Sequence, residues 1–120
     1  MASHPLSLTL RPLQVADIPA VMAIEEESFP VPWPAHAYQR ELTDNDLASC
    51  LALQRDDGTL LGYGCIWLIV DEVHISTIAV APEWRGHGLG ELILIALIET
   101  GIARGGVMAT LEVRVSNQVA

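Results

Sequence analysis

The 120-residue chain contains no lysine: its six basic residues are all arginine, against 15 aspartates and glutamates, for a formal net charge of −9. A nucleotide-triphosphate loop, G-x-x-x-x-G-K-[ST], is therefore excluded. So few cations also argue against a nucleic-acid surface, because neutralising phosphates takes clustered Lys and Arg. Cysteine is scarce as well. Cys50 and Cys65 form no C-x-x-C pair and sit in apolar, strand-like surroundings, which points to small core residues rather than a disulfide or a metal site. No apolar run approaches the roughly 18 residues of a membrane span. No basic segment followed by an apolar block opens the chain, so the expected location is the cytoplasm, with no membrane contact. Repeats, low-complexity stretches and linkers are missing too. Residues 1–120 are expected to form a single domain, with 51% hydrophobic residues to fill its core.

What is present alternates between two periods. Leu6 to Leu10 reads as a strand. Asp17 is placed to cap a helix, with Pro19 in the first turn and Ile18, Val21 and Met22 as its buried stripe. Trp33-Pro34 starts a second helix presenting Tyr38 and Leu42. Ala48 to Gln54 and Leu60 to Val70 flank Asp56-Asp57-Gly58, a hairpin signal. A fourth strand runs from Val73 to Val80, and a third helix from Leu89 to Ile102. That helix carries Leu89, Leu92, Ile93, Ala96 and Leu97 on one face and Leu94, Ile95 and Ile98 on much of the rest, so it is expected to be largely buried. Gly105-Gly106 ends it, and a fifth strand spans Val107 to Val115. The pattern predicts an α/β (α+β) fold with a mixed sheet flanked by helices.

The junction between strand four and helix three holds the most specific chemistry. Arg85-Gly86-His87-Gly88-Leu89-Gly90 ends at a helix start, where the first backbone N–H groups lack intrahelical partners and the macrodipole adds roughly half a positive charge. An anion satisfies both. Glycines at 86, 88 and 90 let the chain turn sharply and let a pyrophosphate approach the main chain, and Arg85 can add a charge-assisted bond. A turn with no ligand is the plainer reading. The dinucleotide fingerprint G-x-G-x-x-G does not fit, because the third glycine comes one position early.

What the segment does match is R-x-x-G-x-G after a strand ending in Val80-Ala81-Pro82, which resembles the coenzyme-A loop of the GNAT N-acetyltransferases. Glu72 to Gly90 is similar to that family's fourth strand and third helix. Leu111-Glu112-Val113-Arg114-Val115-Ser116-Asn117 resembles the fifth strand of one branch, the ribosomal-protein-alanine N-acetyltransferases. Glu25 to Trp33 and Tyr38-Gln39-Arg40-Glu41-Leu42 resemble that branch's first two helices and the loop between them.

The resemblance implies a GNAT fold, with a mainly antiparallel mixed sheet, and acetyl transfer from acetyl-coenzyme A to an amine in a ternary complex. Strand four is expected to splay from strand five so that the coenzyme inserts between them. Backbone groups of Ile78, Ala79 and Val80 would hold the pantetheine arm, with the Val80 N–H as oxyanion donor. Arg85, Gly86, His87, Gly88, Leu89, Gly90 and Glu91 would wrap the pyrophosphate, and Asn117 would touch the cofactor from the other side. Glu112 occupies the general-base position. Period-two alternation places it opposite an apolar face, where a solvated face shared with Arg114 is the plainer reading. An α-amine with a pKa of about 8 is mostly protonated at neutral pH, and a carboxylate could take its proton. Phe29, Pro32, Trp33 and Tyr38 are candidates for the substrate-facing loop, or simply pack the helices together. His87 reads as an exposed loop position and His74 as a packed or half-exposed strand residue; His4 and His36 carry no signal.

The implied acceptor is a protein N-terminus, and a basic ribosomal protein tail would be attracted to so acidic a surface. Lysine, polyamine or another small amine is the alternative acceptor, and a non-catalytic coenzyme-A-binding module the alternative class. The resembled proteins continue past Ser116-Asn117 into a fourth helix and a closing hairpin, with a tyrosine that protonates the departing thiolate. No residue here matches it, so the chain is expected to be C-terminally truncated, with the closing hairpin absent.

Overall fold

Alternating burial along β-branched segments builds a five-stranded sheet in the computed structural model, which describes residues 7–111. The strands are β1 (Leu8–Pro12), β2 (Ala48–Arg55), β3 (Leu60–Ile69), β4 (Glu72–Val80) and β5 (Met108–Leu111), side by side in chain order. All neighbours are antiparallel except β4 and β5, which run parallel. Three helices are described: α1 (Ile18–Ser28), α2 (Ala35–Thr43) and α3 (Leu89–Ala103). The parallel pair requires a crossover, and α3 supplies it.

The first strand lies two residues later than the leucine alternation predicted. Pro12 is accepted at its end because β1 is an outer strand of the sheet, where a missing N–H can be tolerated. The Asp56-Asp57-Gly58 turn forms as expected: Gly58 takes φ +90° and donates to the Arg55 carbonyl at 2.9 Å, while Asp57 accepts from the Thr59 N–H at 2.9 Å. The β3–β4 turn is less comfortable. Val70, expected inside β3, instead starts the turn at φ +57°, a left-handed conformation that a β-branched residue rarely adopts.

Asp17 precedes α1 without capping it through its side chain. Its carboxylate accepts from the Gln14 N–H at 2.7 Å and pairs with the two terminal nitrogens of Arg11 at 2.7 and 2.8 Å, so it closes the preceding 3-10 turn (Val15–Asp17) and ties it to β1. The Arg11 hydrogen bond, more than any other contact, lowers the Asp17 pKa.

The sheet divides the core in two. On the side of α1 and α2 the core comprises Val21, Ile24, Phe29, Tyr38, Cys50, Ala52, Tyr63, Cys65 and Ala79; on the side of α3 it comprises Leu53, Leu61, Ile66, Val73, Ile75, Leu89, Ile93 and Leu97. Cys50 and Cys65 face each other across β2 and β3 as buried thiols that are not joined in a disulfide. Half-buried Trp84 packs against both halves of the core.

Glycine brings α3 close to the sheet. A Cβ at Gly62 would meet the Ala79 carbonyl oxygen at 2.7 Å and Ile93 Cδ1 at 2.9 Å; at Gly64 it would meet Leu97 Cδ1 at 2.7 Å. The helix buries only one stripe, Leu89, Ile93, Leu97 and Gly101. The expectation of a largely buried helix is therefore corrected. Its packing partners among the described residues are β2, β3 and β4, all on one side, and Leu92, Ile95 and Ile102 remain exposed on the other. At its C-terminus Gly105, at φ +108°, donates to the Ile102 carbonyl, and Gly106 donates to that of Gly101. Such bonds satisfy carbonyls that the helix end leaves open.

Candidate active site

A bulge in β4 sets the geometry. Cys65 pairs with Thr77 but Ile66 pairs with Ile75, so Ser76 is an extra residue, and its hydroxyl donates to the Cys65 carbonyl at 3.1 Å. The insertion flips the strand's faces: Ile75 points toward α3, and so does Ile78 three residues later. At the strand's end the Ala81 N–H donates to the Leu61 carbonyl at 2.7 Å. Antiparallel alternation then turns the main-chain groups of Val80 and Ile78 away from β3, and the Val80 carbonyl indeed accepts from Arg85 Nε at 3.0 Å. The Val80 N–H faces that same open side. Of the three residues expected along the pantetheine arm, Ala79 differs: the register turns its backbone groups toward Tyr63 of β3.

After a 3-10 turn (Pro82–Trp84), Gly86 and Gly88 take φ of +84° and +77°, and a Cβ at either would meet nothing within 4 Å. Gly88 is the N-cap of α3 and has no side chain to cap with, while the first backbone bond inside the helix is from the Leu92 N–H to the Gly88 carbonyl at 3.1 Å. The N–H groups of Leu89, Gly90 and Glu91 thus lack intrahelical acceptors. Gly90 is different from the other two glycines. It is helical, and a Cβ there would make ordinary van der Waals contact with Val80 Cγ2 at 3.8 Å, so neither backbone nor packing demands glycine at this position. Leu89 is anchored in the core; Glu91 and exposed His87 flank the loop, the imidazole 5.9 Å from the Trp84 ring. Arg55 covers that same indole at 5.1 Å. Arg85 does not simply project outward. One terminal nitrogen donates to Ser28 Oγ at 2.8 Å while Nε holds the Val80 carbonyl, so part of the guanidinium braces the loop against α1.

The residues expected in the substrate loop separate. Phe29 and Tyr38 are fully covered, at 2% and 0% exposure, and belong to the core beneath the loop instead of its surface. Pro32 is exposed and Trp33 half-buried, its ring 5.4 Å from that of Tyr38. What organises them is Glu25, which the sequence reading passed over. Its Oε1 accepts from both the Tyr38 and Tyr63 hydroxyls at 2.6 Å, and its Oε2 accepts from the Trp33 N–H at 2.8 Å. Burial, with the adjoining carboxylate, pushes the Tyr38 hydroxyl far above its ordinary range; burial and the neighbouring Tyr38 do the same to Tyr63. Both stay protonated and keep donating. The missed signal is visible in the helix period, since Ile18, Val21, Glu25 and Ser28 form one stripe.

His74 is half-buried, with Nε2 3.3 Å from Glu72 Oε1, and His36 is exposed. β5 pairs with β4 from Glu72↔Met108 to Ile75↔Leu111. Glu112 and Asn117 lie outside the described residues, as does His4.

Residues 18–120 match the acetyltransferase (GNAT) family. The chain belongs to that family. It is 38% identical over 111 residues to a Bacillus subtilis protein that bears the provisional name of a ribosomal protein bS18-alanine N-acetyltransferase, covering 92% of this chain and 73% of that one. To the Salmonella typhimurium ribosomal protein bS18-alanine N-acetyltransferase it is 32% identical over 112 residues, covering 93% and 74%. The crystal structure of the Escherichia coli ribosomal-protein-S18-alanine N-acetyltransferase superposes with a TM-score of 0.79 at 28% identity, over 93% of this chain and 70% of that one. This chain is thus a GNAT-fold N-acetyltransferase. Its bulged strand turns the Val80 N–H to the open side, and Gly86 and Gly88 are left-handed just before the uncapped start of α3.

Proposed function

We propose that this enzyme transfers an acetyl group from acetyl-coenzyme A to the α-amine of a protein N-terminus, in the first instance that of a ribosomal protein beginning with alanine. The observation that carries the acceptor is the identity, spread over more than nine-tenths of the chain, with the Salmonella enzyme named for that reaction. The formal net charge of −9 supports it, since a basic tail is drawn to an acidic protein.

Acetyl-coenzyme A supplies the thioester: the amine nitrogen bonds to its carbonyl carbon, the C–S bond breaks, and coenzyme A leaves as the thiolate. The N–H groups of Leu89, Gly90 and Glu91 hold its pyrophosphate at the end of the helix dipole, and Gly86 and Gly88 leave room for the approach. Ile78 and Val80 offer main-chain groups to the pantetheine arm. The Val80 N–H meets the carbonyl oxygen as negative charge develops there, a fixed donor that needs no reorganisation. Glu112 takes the proton from the incoming ammonium, and Asn117 contacts the cofactor from the far side. Pro32 and Trp33 border the acceptor. The protein acts in the cytoplasm on a protein partner, without direct contact with nucleic acid; no helix among the described residues is long and apolar enough to cross a membrane.

The test uses two peptides copying a ribosomal protein N-terminus that begins with alanine, one free and one blocked at the α-amine but retaining lysine. Thiol release with the free peptide alone, and an acetyl group located on its α-amine by mass spectrometry, is the expected result. Acetylation of lysine in the blocked peptide, or coenzyme binding with no turnover of either, overturns the reading.

A further inference from the structure

The buried polar residues described in this chain are Glu25, Ser28 and Thr77, and two of the three occupy the last turn of α1. Their spacing of three places both on the same helix face, and each reaches a different half of the site. Ser28 Oγ receives Arg85, which precedes the glycine loop and also holds the carbonyl of Val80. Glu25 receives the main chain of Trp33 and, through Tyr38 and Tyr63, fixes the segment between α1 and α2 to α2 and to β3. A carboxylate and a hydroxyl at 0% and 1% exposure carry a desolvation cost that apolar residues would avoid. Satisfying both with donors from the two loops makes the position of one loop depend on that of the other.

We infer that the last turn of α1 is a clasp coupling the coenzyme loop to the acceptor loop, with Ser28 and Glu25 as positioning residues. The inference rests on the proposed function in taking the glycine loop as the coenzyme site and Pro32 and Trp33 as the acceptor's border. An anion seated on the glycine loop fixes Arg85. Through Ser28 this steadies the α1 terminus, and through Glu25 it steadies the Trp33 main chain. Binding on one side of the sheet thereby orders the wall on which the acceptor docks.

The Trp33 amide reports this directly, because its hydrogen is held by Glu25. In the intact protein, coenzyme A should slow exchange of that amide by roughly fivefold or more, the lower bound of a typical coupling between sites. In Ser28→Ala the slowing should fall below about twofold, and Ser28→Thr, which keeps the hydroxyl, should restore it. Arg85→Met, which removes both donors, should behave like Ser28→Ala at saturating coenzyme A and decides the matter if that variant does not fold. A purely structural Ser28 would lower the melting temperature and leave the coenzyme-dependent protection intact, which overturns the inference, as does an unresponsive amide in the wild type. Under saturating acetyl-coenzyme A, the KM for the free peptide should rise several-fold in Ser28→Ala, more than kcat falls. If no amine is turned over by any variant, the acceptor reading fails, while the exchange experiment still decides the clasp.

Discussion

Gly88 offers a way to separate the fold from the ligand. Its φ of +77° and ψ of 11° lie in the left-handed region, and an added Cβ would meet nothing within 4 Å. Alanine at this position therefore meets no protein neighbour, only the backbone's own preference, at a cost of about 1–2 kcal/mol. For a domain of this size that lowers the melting temperature by several degrees. Asparagine visits the left-handed region far more readily, so Gly88→Asn should melt closer to the wild type than Gly88→Ala does. Its side chain, however, projects into the open space that a pyrophosphate would occupy beside the free N–H groups of α3. Losing even one charge-assisted bond to phosphate costs about 1.5–3 kcal/mol, so acetyl-coenzyme A should bind Gly88→Asn at least about tenfold more weakly. Differential scanning calorimetry gives the first quantity and isothermal titration the second. A folded Gly88→Asn protein with wild-type affinity would show that the coenzyme does not use this helix end.

Glu112→Gln should reduce turnover by roughly 10²–10⁴-fold while leaving acetyl-coenzyme A affinity nearly unchanged; full turnover at neutral pH places the base elsewhere. Gly62→Ala should destabilise by about 1–3 kcal/mol, because the new methyl would meet the Ala79 carbonyl oxygen of β4 at 2.7 Å and Ile93 Cδ1 of α3 at 2.9 Å, and chemical denaturation with no loss would contradict the close approach of both to Gly62. Tyr38 and Tyr63 are held above their ordinary value of 10.0, so an unfolded chain ionises them first. Stability from this source is complete below pH 10 and declines above it, by about 1.4 kcal/mol per tyrosine per pH unit, and Tyr63→Phe should flatten the alkaline arm of a melting-temperature profile.

Features governed by a few adjacent residues were legible in the sequence. Asp57-Gly58 sets its own turn, and the left-handed glycines at 86 and 88 lie in the short connection, residues 81–88, where a strand meets a helix. What needed a second segment was not legible. Asp17 reads as a helix cap until Arg11 and the Gln14 N–H claim its carboxylate. Tyr38 reads as a loop-facing aromatic until Glu25 accepts its hydroxyl, and the Ser76 bulge exists only as a mismatch between two strands. For α3, composition told that the helix was apolar all round, but only the packing shows which stripe the sheet covers. Glu112 carries its proposed role from resemblance and from the chemistry of amine deprotonation.

The three indoles mark separate parts of the molecule. Trp33 stands in the segment between α1 and α2, Trp67 lies in β3 with its Nε1 on Glu41, and Trp84 precedes the glycine loop between the Arg55 guanidinium and the His87 ring. Indole emission follows the polarity and charge of the surroundings, and Trp84 has the Arg55 guanidinium on one side and the His87 ring on the other. An anion arriving at Gly86–Gly88 would change those surroundings. The fold therefore supplies an intrinsic optical reporter at the glycine loop, with Trp33 near the proposed acceptor wall and Trp67 as an internal reference.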